Sequence, residues 1–211
     1  MKKKIFITGV LLISAICTLH AQIEDNREKL TIGIKAGVNV SNVWDEEGND
    51  FVADPKLGLA LGAFAGIPIG KFLGIQPELL ISQKGFKGSG TLVGFPYSFT
   101  RTTTYLDVPL LLQIKPAPFL TLVTGPQFSY LFKEKNTYTF GNNSTVQEQE
   151  FQNENIRKNI MGFVLGFDIN YNAFVFSSRA GWDFQTNNQN GSSTTPRYKN
   201  QWLQFTVGFK I

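Results

Sequence analysis

The side chains best suited to chemistry are scarce and badly placed for it. One histidine, His20, and one cysteine, Cys17, occur in 211 residues. Both lie in the opening MKKKIFITGVLLISAICTLHA. Lys2, Lys3 and Lys4 make a basic start, residues 5–19 an apolar run, and Leu19-His20-Ala21 a cut site before Gln22. That is the pattern of a secretory signal peptide. The run is shorter than the roughly 20 apolar residues a spanning helix needs. Ile16 is also bulkier than the residue expected before a lipidated Cys17. With residues 1–21 cleaved, no histidine or cysteine remains. That excludes a disulfide framework, a His/Cys metal site and any Ser-His-Asp or Cys-His centre. The expectation is a protein that is not an enzyme, with no catalytic residue, no cofactor and no metal ligand.

Carboxylates are the remaining candidates. Glu78 and Asp107 could form an acid/base pair of the glycosidase kind, but basic neighbours surround them and no cleft is evident. Asp45-Glu46-Glu47-Gly48-Asn49-Asp50 could attract calcium, yet its spacing is not that of an EF-hand, and a solvated acidic loop tip accounts for it. Phe95, Tyr97 and Phe99 put three aromatics in one link, where contact with a partner or glycan competes with folding back on the rim. No phosphate-binding glycine loop or nucleic-acid motif is present. Without Lys2, Lys3 and Lys4 the 20 basic residues fall to 17 against 16 acidic ones, a net charge of +1. The alkaline pI is therefore mainly a property of the targeting segment, and no nucleic-acid partner is expected.

The elements that must position these residues are strands. Period-two alternation recurs in eight segments, 32–41, 57–67, 72–84, 102–115, 119–132, 159–171, 173–184 and 199–211. The links 42–56, 85–101, 133–158 and 185–198 are long and polar, whereas 68–71 (PIGK), 116–118 (PAP) and the step at Asn172 are short. Long links on one side and tight turns on the other are the habit of outer-membrane barrels, whose turns face the periplasm. Gly58, Gly62 and Gly66 would make a helix-association face, but Pro68 ends their segment after eleven residues and a strand suits it better. The division expected is a signal peptide 1–21, a short periplasmic lead-in 22–31 and a barrel 32–211.

One parity class is apolar: Ile32, Ile34, Ala36, Val38 and Val40 in the first strand, then Leu106 to Ile114, Phe163 to Ile169 and Leu203 to Ile211 at alternate positions. The other class carries Lys35, Glu78, Lys84, Asp107, Lys115, Asp168, Arg179, Asp183 and Lys210. A soluble lipocalin-like barrel would turn the apolar face inward. Three features favour the inverse. Glycine accompanies the charged class, as a crowded lumen requires. Nine charges are few for a solvated exterior. Aromatics also gather near strand ends: Tyr130, Phe132, Trp182 and Phe184 at the link side, Tyr171, Phe174 and Phe209 at the turn side. Hydrocarbon gives backbone amides no partner, so a spanning sheet must close, and a charge on the lipid face near the midplane costs about 2–4 kcal/mol. The expected fold is all-β, an eight-stranded antiparallel up-and-down transmembrane β-barrel with a polar, plugged interior, located in the outer membrane.

The nine charges are expected to meet inside. Glu78 and Arg179, at similar depth, should pair. Lys35, Lys115, Asp168 and Lys210 should cluster near the turn-side mouth, and Lys84, Asp107 and Asp183 nearer the outside. An ion path is the functional alternative to a plug. Eight strands leave room only for side chains, which favours the plug.

The stretches KAGVNVS (35–41), GIQPELLISQKG (74–85), YLDVPLLLQIK (105–115) and GPQFSYLF (125–132) resemble the PorT-like outer-membrane β-barrel family of Bacteroidetes. The similarity spans roughly 32–211. It implies the same eight-stranded barrel and little about activity. Ile211 departs from the aromatic that usually ends such chains, and Phe209 or Phe205 would have to serve. Three roles stand open: a structural or interaction barrel, an accessory component of protein secretion of the type IX kind, and a soluble ligand-binding barrel. Expected partners are outer-membrane lipid and a protein reached through external loops or periplasmic turns. Oligomeric state is left open.

Overall fold

The computed structural model describes residues 25–45, 53–92, 95–140, 143–149, 156–188 and 198–211. Nine strands run β1 Thr31–Asp45, β2 Asp54–Pro68, β3 Leu73–Leu92, β4 Phe95–Ala117, β5 Leu120–Phe140, β6 Asn143–Gln149, β7 Asn159–Tyr171, β8 Phe174–Asp183 and β9 Tyr198–Lys210. Every adjacent pairing is antiparallel. The order β4-β3-β2-β1-β9-β8-β7-β5-β6, with β4 also paired to β5, closes the sheet on itself. The closed ring has eight strands. The ninth, β6, pairs only with the outer end of β5, from Glu134↔Gln149 to Phe140↔Asn143, and stands outside the ring.

Burial alternates along each strand and sets the two faces. Lys35, Glu78, Lys84, Asp107, Lys115, Asp168, Arg179 and Asp183 are all buried, as are Asn39, Gln76, Gln113, Gln127 and Gln204. The exposed set is apolar: Ile32, Ile34, Leu61, Leu79, Leu110, Leu165, Phe167, Leu203, Phe205 and Val207 among others. An exterior of this kind cannot face water across a whole barrel, because exposed apolar area costs about 25 cal/mol for each Å². The soluble barrel considered from sequence is therefore wrong. Its apolar face is the outside. Aromatics ring both ends of that face. Phe163 meets Trp182 and Phe184 at centroid distances of 5.5 and 6.4 Å at the outer end, and Phe174 meets Phe209 edge-on at 5.6 Å at the turn end.

The turns are as tight as the sequence implied. Ile69 and Gly70 both donate to the carbonyl of Leu73, closing the β2–β3 turn. Asn172, between β7 and β8, takes φ 50°, a left-handed conformation that asparagine tolerates better than most residues.

The long links differ from expectation. The described parts of 85–101 and 133–158, expected as loops, are largely strand. β3 and β4 stay paired out to Leu92↔Phe95, and β5 runs on to Phe140. The β4–β5 register slips between Thr104↔Lys133 and Tyr105↔Leu131, so Phe132 is an extra residue on β5. A bulge of this kind bends the strand and shifts its alternation by one. Below it Val123, Gln127 and Leu131 are buried; above it Glu134 and Asn136 are. β4, at 23 residues, is more than twice the roughly 9–11 that cross a bilayer, so its outer half projects beyond the apolar band.

Candidate functional site

The interior side chains come from alternate positions of the ring strands, and each charge acquires its neighbours through register. Lys35 on β1 donates to the carboxylate of Glu78 on β3 and to no other acceptor among the described residues. Gln76 supports the same carboxylate at 2.6 Å and itself accepts from Gln113. Arg179 on β8 lies 2.7 Å from Asp168 on β7 and 3.6 Å from Glu78. Its other terminal nitrogen donates to the Phe167 carbonyl at 2.8 Å, and Ser177 donates to Asp168 at 2.5 Å. Lys35, Glu78, Arg179 and Asp168 thus form one circuit of alternating sign, none more than 4% exposed.

This grouping corrects the sequence reading. Lys35 belongs to the Glu78–Arg179 centre, whereas Asp168 joins that centre through Arg179 and also lines the turn-side cavity with Lys115 and Lys210. Strands in a barrel tilt, so equal counts from a turn do not mean equal height along the axis. A lysine stem adds several ångströms of reach. Lys115 donates to the carbonyl of Arg27 at 2.9 Å, and Lys210 to the side-chain oxygen of Asn170 at 3.3 Å.

Leu111 on β4, Val123 on β5, Val164 on β7 and Trp202 on β9 form one buried apolar cluster. Along β7 it lies outward of Asp168, and along β4 it lies turn-ward of Asp107. Lys84 sits on its outer side, fully buried, with its ammonium 3.7 Å above the Trp202 ring and 3.2 Å from Asp107. Cation–π attraction and the ion pair both hold it there. Asp183 accepts from Asn200 at 2.6 Å. Room for the Trp202 ring comes from Gly181 on β8, where a Cβ would overlap the ring.

The sequence reading missed this cluster, and a signal for it existed. Leu111, Val123, Val164 and Trp202 all occupy the parity of the polar class. Apolar residues on that parity mark interior packing.

At the outer end Arg101 on β4 pairs with Glu134 on β5 at 2.7 Å, above the bulge, and stacks over Tyr198 at 5.4 Å. Phe86, Tyr198 and Val43 pack together there, with Phe99 against them. Phe99 touches Phe86 at 5.8 Å and Tyr138 at 4.8 Å between centroids, so this aromatic turns onto the barrel's own rim. Phe95 and Tyr97 contribute backbone to β4, but their side chains lie outside the described ones, as do residues 46–50 of the acidic stretch. Among the described residues no group of histidine, cysteine and carboxylates could hold a metal.

At the turn end the lead-in folds across the mouth. Arg27 donates twice to Asp25, at 2.8 Å each, and to the carbonyl of Lys115 at 3.3 Å, with its guanidinium 5.4 Å from the centre of the Phe72 ring. The Arg27 hydrogen bonds hold the Asp25 carboxyl well below the usual carboxylate range.

With a closed ring, a lipid-ready exterior and buried ion pairs established, the class is an outer-membrane barrel. Residues 20–185 match the family described as "Outer membrane protein beta-barrel domain", and the chain belongs to that family and to the outer membrane. Among solved structures it is 12% identical to Ail, the attachment invasion locus protein of Yersinia pestis, solved with the heparin analogue sucrose octasulfate. That likeness covers 86% of this chain and 99% of Ail, with a TM-score of 0.48. A major outer membrane protein of Thermus thermophilus is 14% identical over 87% of this chain and 100% of its own, TM-score 0.48. Neisserial surface protein A is 10% identical over 85% and 97%, TM-score 0.47. No curated protein matches the chain.

Proposed function

We propose that this protein is a small non-enzymatic barrel of the outer membrane, filled along its axis, with a structural or partner-binding role. The observation that carries this reading is the Lys35–Glu78–Arg179–Asp168 circuit beneath the Leu111, Val123, Val164 and Trp202 cluster. Paired charges neutralise one another in the circuit, and the apolar cluster set into a narrow lumen offers water no hydrogen bonds, so ions find neither a free charge nor a wet path past this section. Planar-bilayer recording tests it. Wild-type protein and Glu78→Gln should both give no resolvable conductance steps. A large new conductance in Glu78→Gln would turn the reading into a gate.

Partner contact is assigned to the projecting β3–β4 and β5–β6 hairpins, which carry strand well past the apolar band. Photocrosslinking in living cells from Lys87 and Thr145, both exposed there, should trap a discrete outer-face partner. Smears alone would leave the barrel a structural one. Residues 1–21 are assigned to a cleaved signal peptide and 22–31 to a periplasmic lead-in. N-terminal sequencing of the membrane fraction should begin at Gln22.

A finer placement, in the PorT-like family with an accessory part in protein export, rests on GIQPELLISQKG and YLDVPLLLQIK. Deletion of the gene should then cost the cell secreted cargo. Unchanged secretion would remove that placement and leave the barrel reading intact.

A further inference from the structure

Among the described residues, two lysines at the turn-side mouth form no ion pair with a carboxylate. Lys115 donates to the Arg27 carbonyl, and Lys210 to the Asn170 amide oxygen. An ammonium has three donors, so each keeps unused hydrogen-bonding capacity. Both line the same cavity of about 50 Å³, beneath the lead-in. A polar space of that size holds an ion or a few waters.

Arg27 also lines the cavity, its charge clasped by Asp25. Asp168, the carboxylate on the wall, is held by Arg179 and Ser177. Two acceptors also wait for donors at the same place: Gln113 Oε1 and Asn26 Oδ1 are buried without a hydrogen-bond partner. A ligand that satisfies the set must carry negative oxygens for the lysines and hydroxyls for the amides. Dihydrogen phosphate does both, with two unprotonated oxygens sharing its charge for the lysines and one hydroxyl for each amide oxygen.

We propose that the turn-side mouth binds a small oxyanion of the phosphate class, held by Lys115 and Lys210, with Gln113 and Asn26 each accepting from one of its hydroxyls. The site stands on its own geometry and survives whether or not the barrel has an outer-face partner. The lead-in lies over the cavity, so the occupant is a free anion and not the headgroup of a bilayer lipid.

The test titrates inorganic phosphate into the folded barrel in non-ionic detergent and follows backbone amide shifts. Saturable shifts at Lys115, Lys210 and Asn26 are expected. Lys115→Gln with Lys210→Gln should weaken binding by roughly tenfold or more, since two charge-assisted bonds are lost, while heat-modifiable mobility stays normal. If the double variant does not fold, each single variant should still weaken binding. Lys210→Arg should largely retain it. Absence of saturable shifts, shifts confined to other residues, or affinity indifferent to the variants would overturn the proposal. Dihexanoyl phosphatidylglycerol should leave these amides unmoved; shifts from it alone would overturn the free-anion assignment.

Discussion

Lys35 is paired inside the barrel with Glu78, and no other described acceptor receives a hydrogen bond from its ammonium. Arg179 is more broadly held, with Asp168 and two carbonyls. Removing the shared carboxylate therefore strands the lysine first. Glu78→Gln should cost about 3–5 kcal/mol, read from denaturant unfolding in detergent. Adding Lys35→Met to it should recover much of that loss, because replacing both members of a buried pair destabilises far less than orphaning one. Gly181→Ala should cost about 1–3 kcal/mol and shift the tryptophan emission, since the new methyl would overlap the Trp202 ring. An unchanged spectrum with wild-type stability would mean the ring has room to move. The sequence made the side of the sheet legible for each of these residues: parity alone puts Lys35 and Glu78 on one face. It did not reveal partners. Partnering depends on strand tilt and side-chain reach, neither of which a count along one strand contains. Counting alone therefore puts Lys35 with Lys115 and Lys210.

Strand boundaries on the turn side were legible to within a residue or two, because a short turn with Pro68, Pro116 or Asn172 interrupts an otherwise regular alternation. On the outer side they were not. Residues 85–101 are rich in Gly, Ser and Thr, and the hairpin they form has no lipid to demand an apolar face. Its period-two signal disappears while its backbone pairing continues. In β5 the bulge at Phe132 moves the buried parity from odd to even, so alternation breaks where the strand only changes phase. Crosslinking tests this arrangement. Thr100 and Thr137 face each other, and Thr100→Cys with Thr137→Cys should oxidise to a disulfide within the usual Cα separation of about 4.4–6.8 Å. Moving one partner, as in Thr100→Cys with Lys135→Cys, should abolish the bond. Equal crosslinking of both pairs would show a link without fixed register.

For the whole molecule, the count of ring strands and their antiparallel order followed from eight alternating segments and the unequal links. The ninth strand, outside the ring, did not. The Arg27 clasp was equally hidden, since a short stretch at the edge of a barrel carries no periodicity. It makes the turn-side cover sensitive to acid. The Asp25 carboxyl is held below its ordinary range by Arg27, so the folded state favours the ionised form. A depressed carboxylate contributes above its unfolded pKa and stops contributing as the pH falls through the folded one. The Arg27 side-chain Nε–H resonance should accordingly stay sharp at neutral pH and broaden only in acid beneath the usual carboxylate range. Asp25→Asn should broaden it already at about pH 7. A signal indifferent to both would mean the lead-in is held by Phe72 and the Lys115 carbonyl instead.

The first strand is sealed by the last: β1 pairs with β9 over thirteen positions, from Gly33↔Lys210 to Asp45↔Tyr198. During biosynthesis the ribosome delivers these partners at opposite ends of its work, so for most of the chain's emergence two rows of amides have nothing to bind. Such a polypeptide should need its open edges shielded before insertion and should enter lipid only once the ring can close. Truncation before Tyr198 should yield a protein lost to proteases or aggregates, never a seven-stranded remnant in the bilayer.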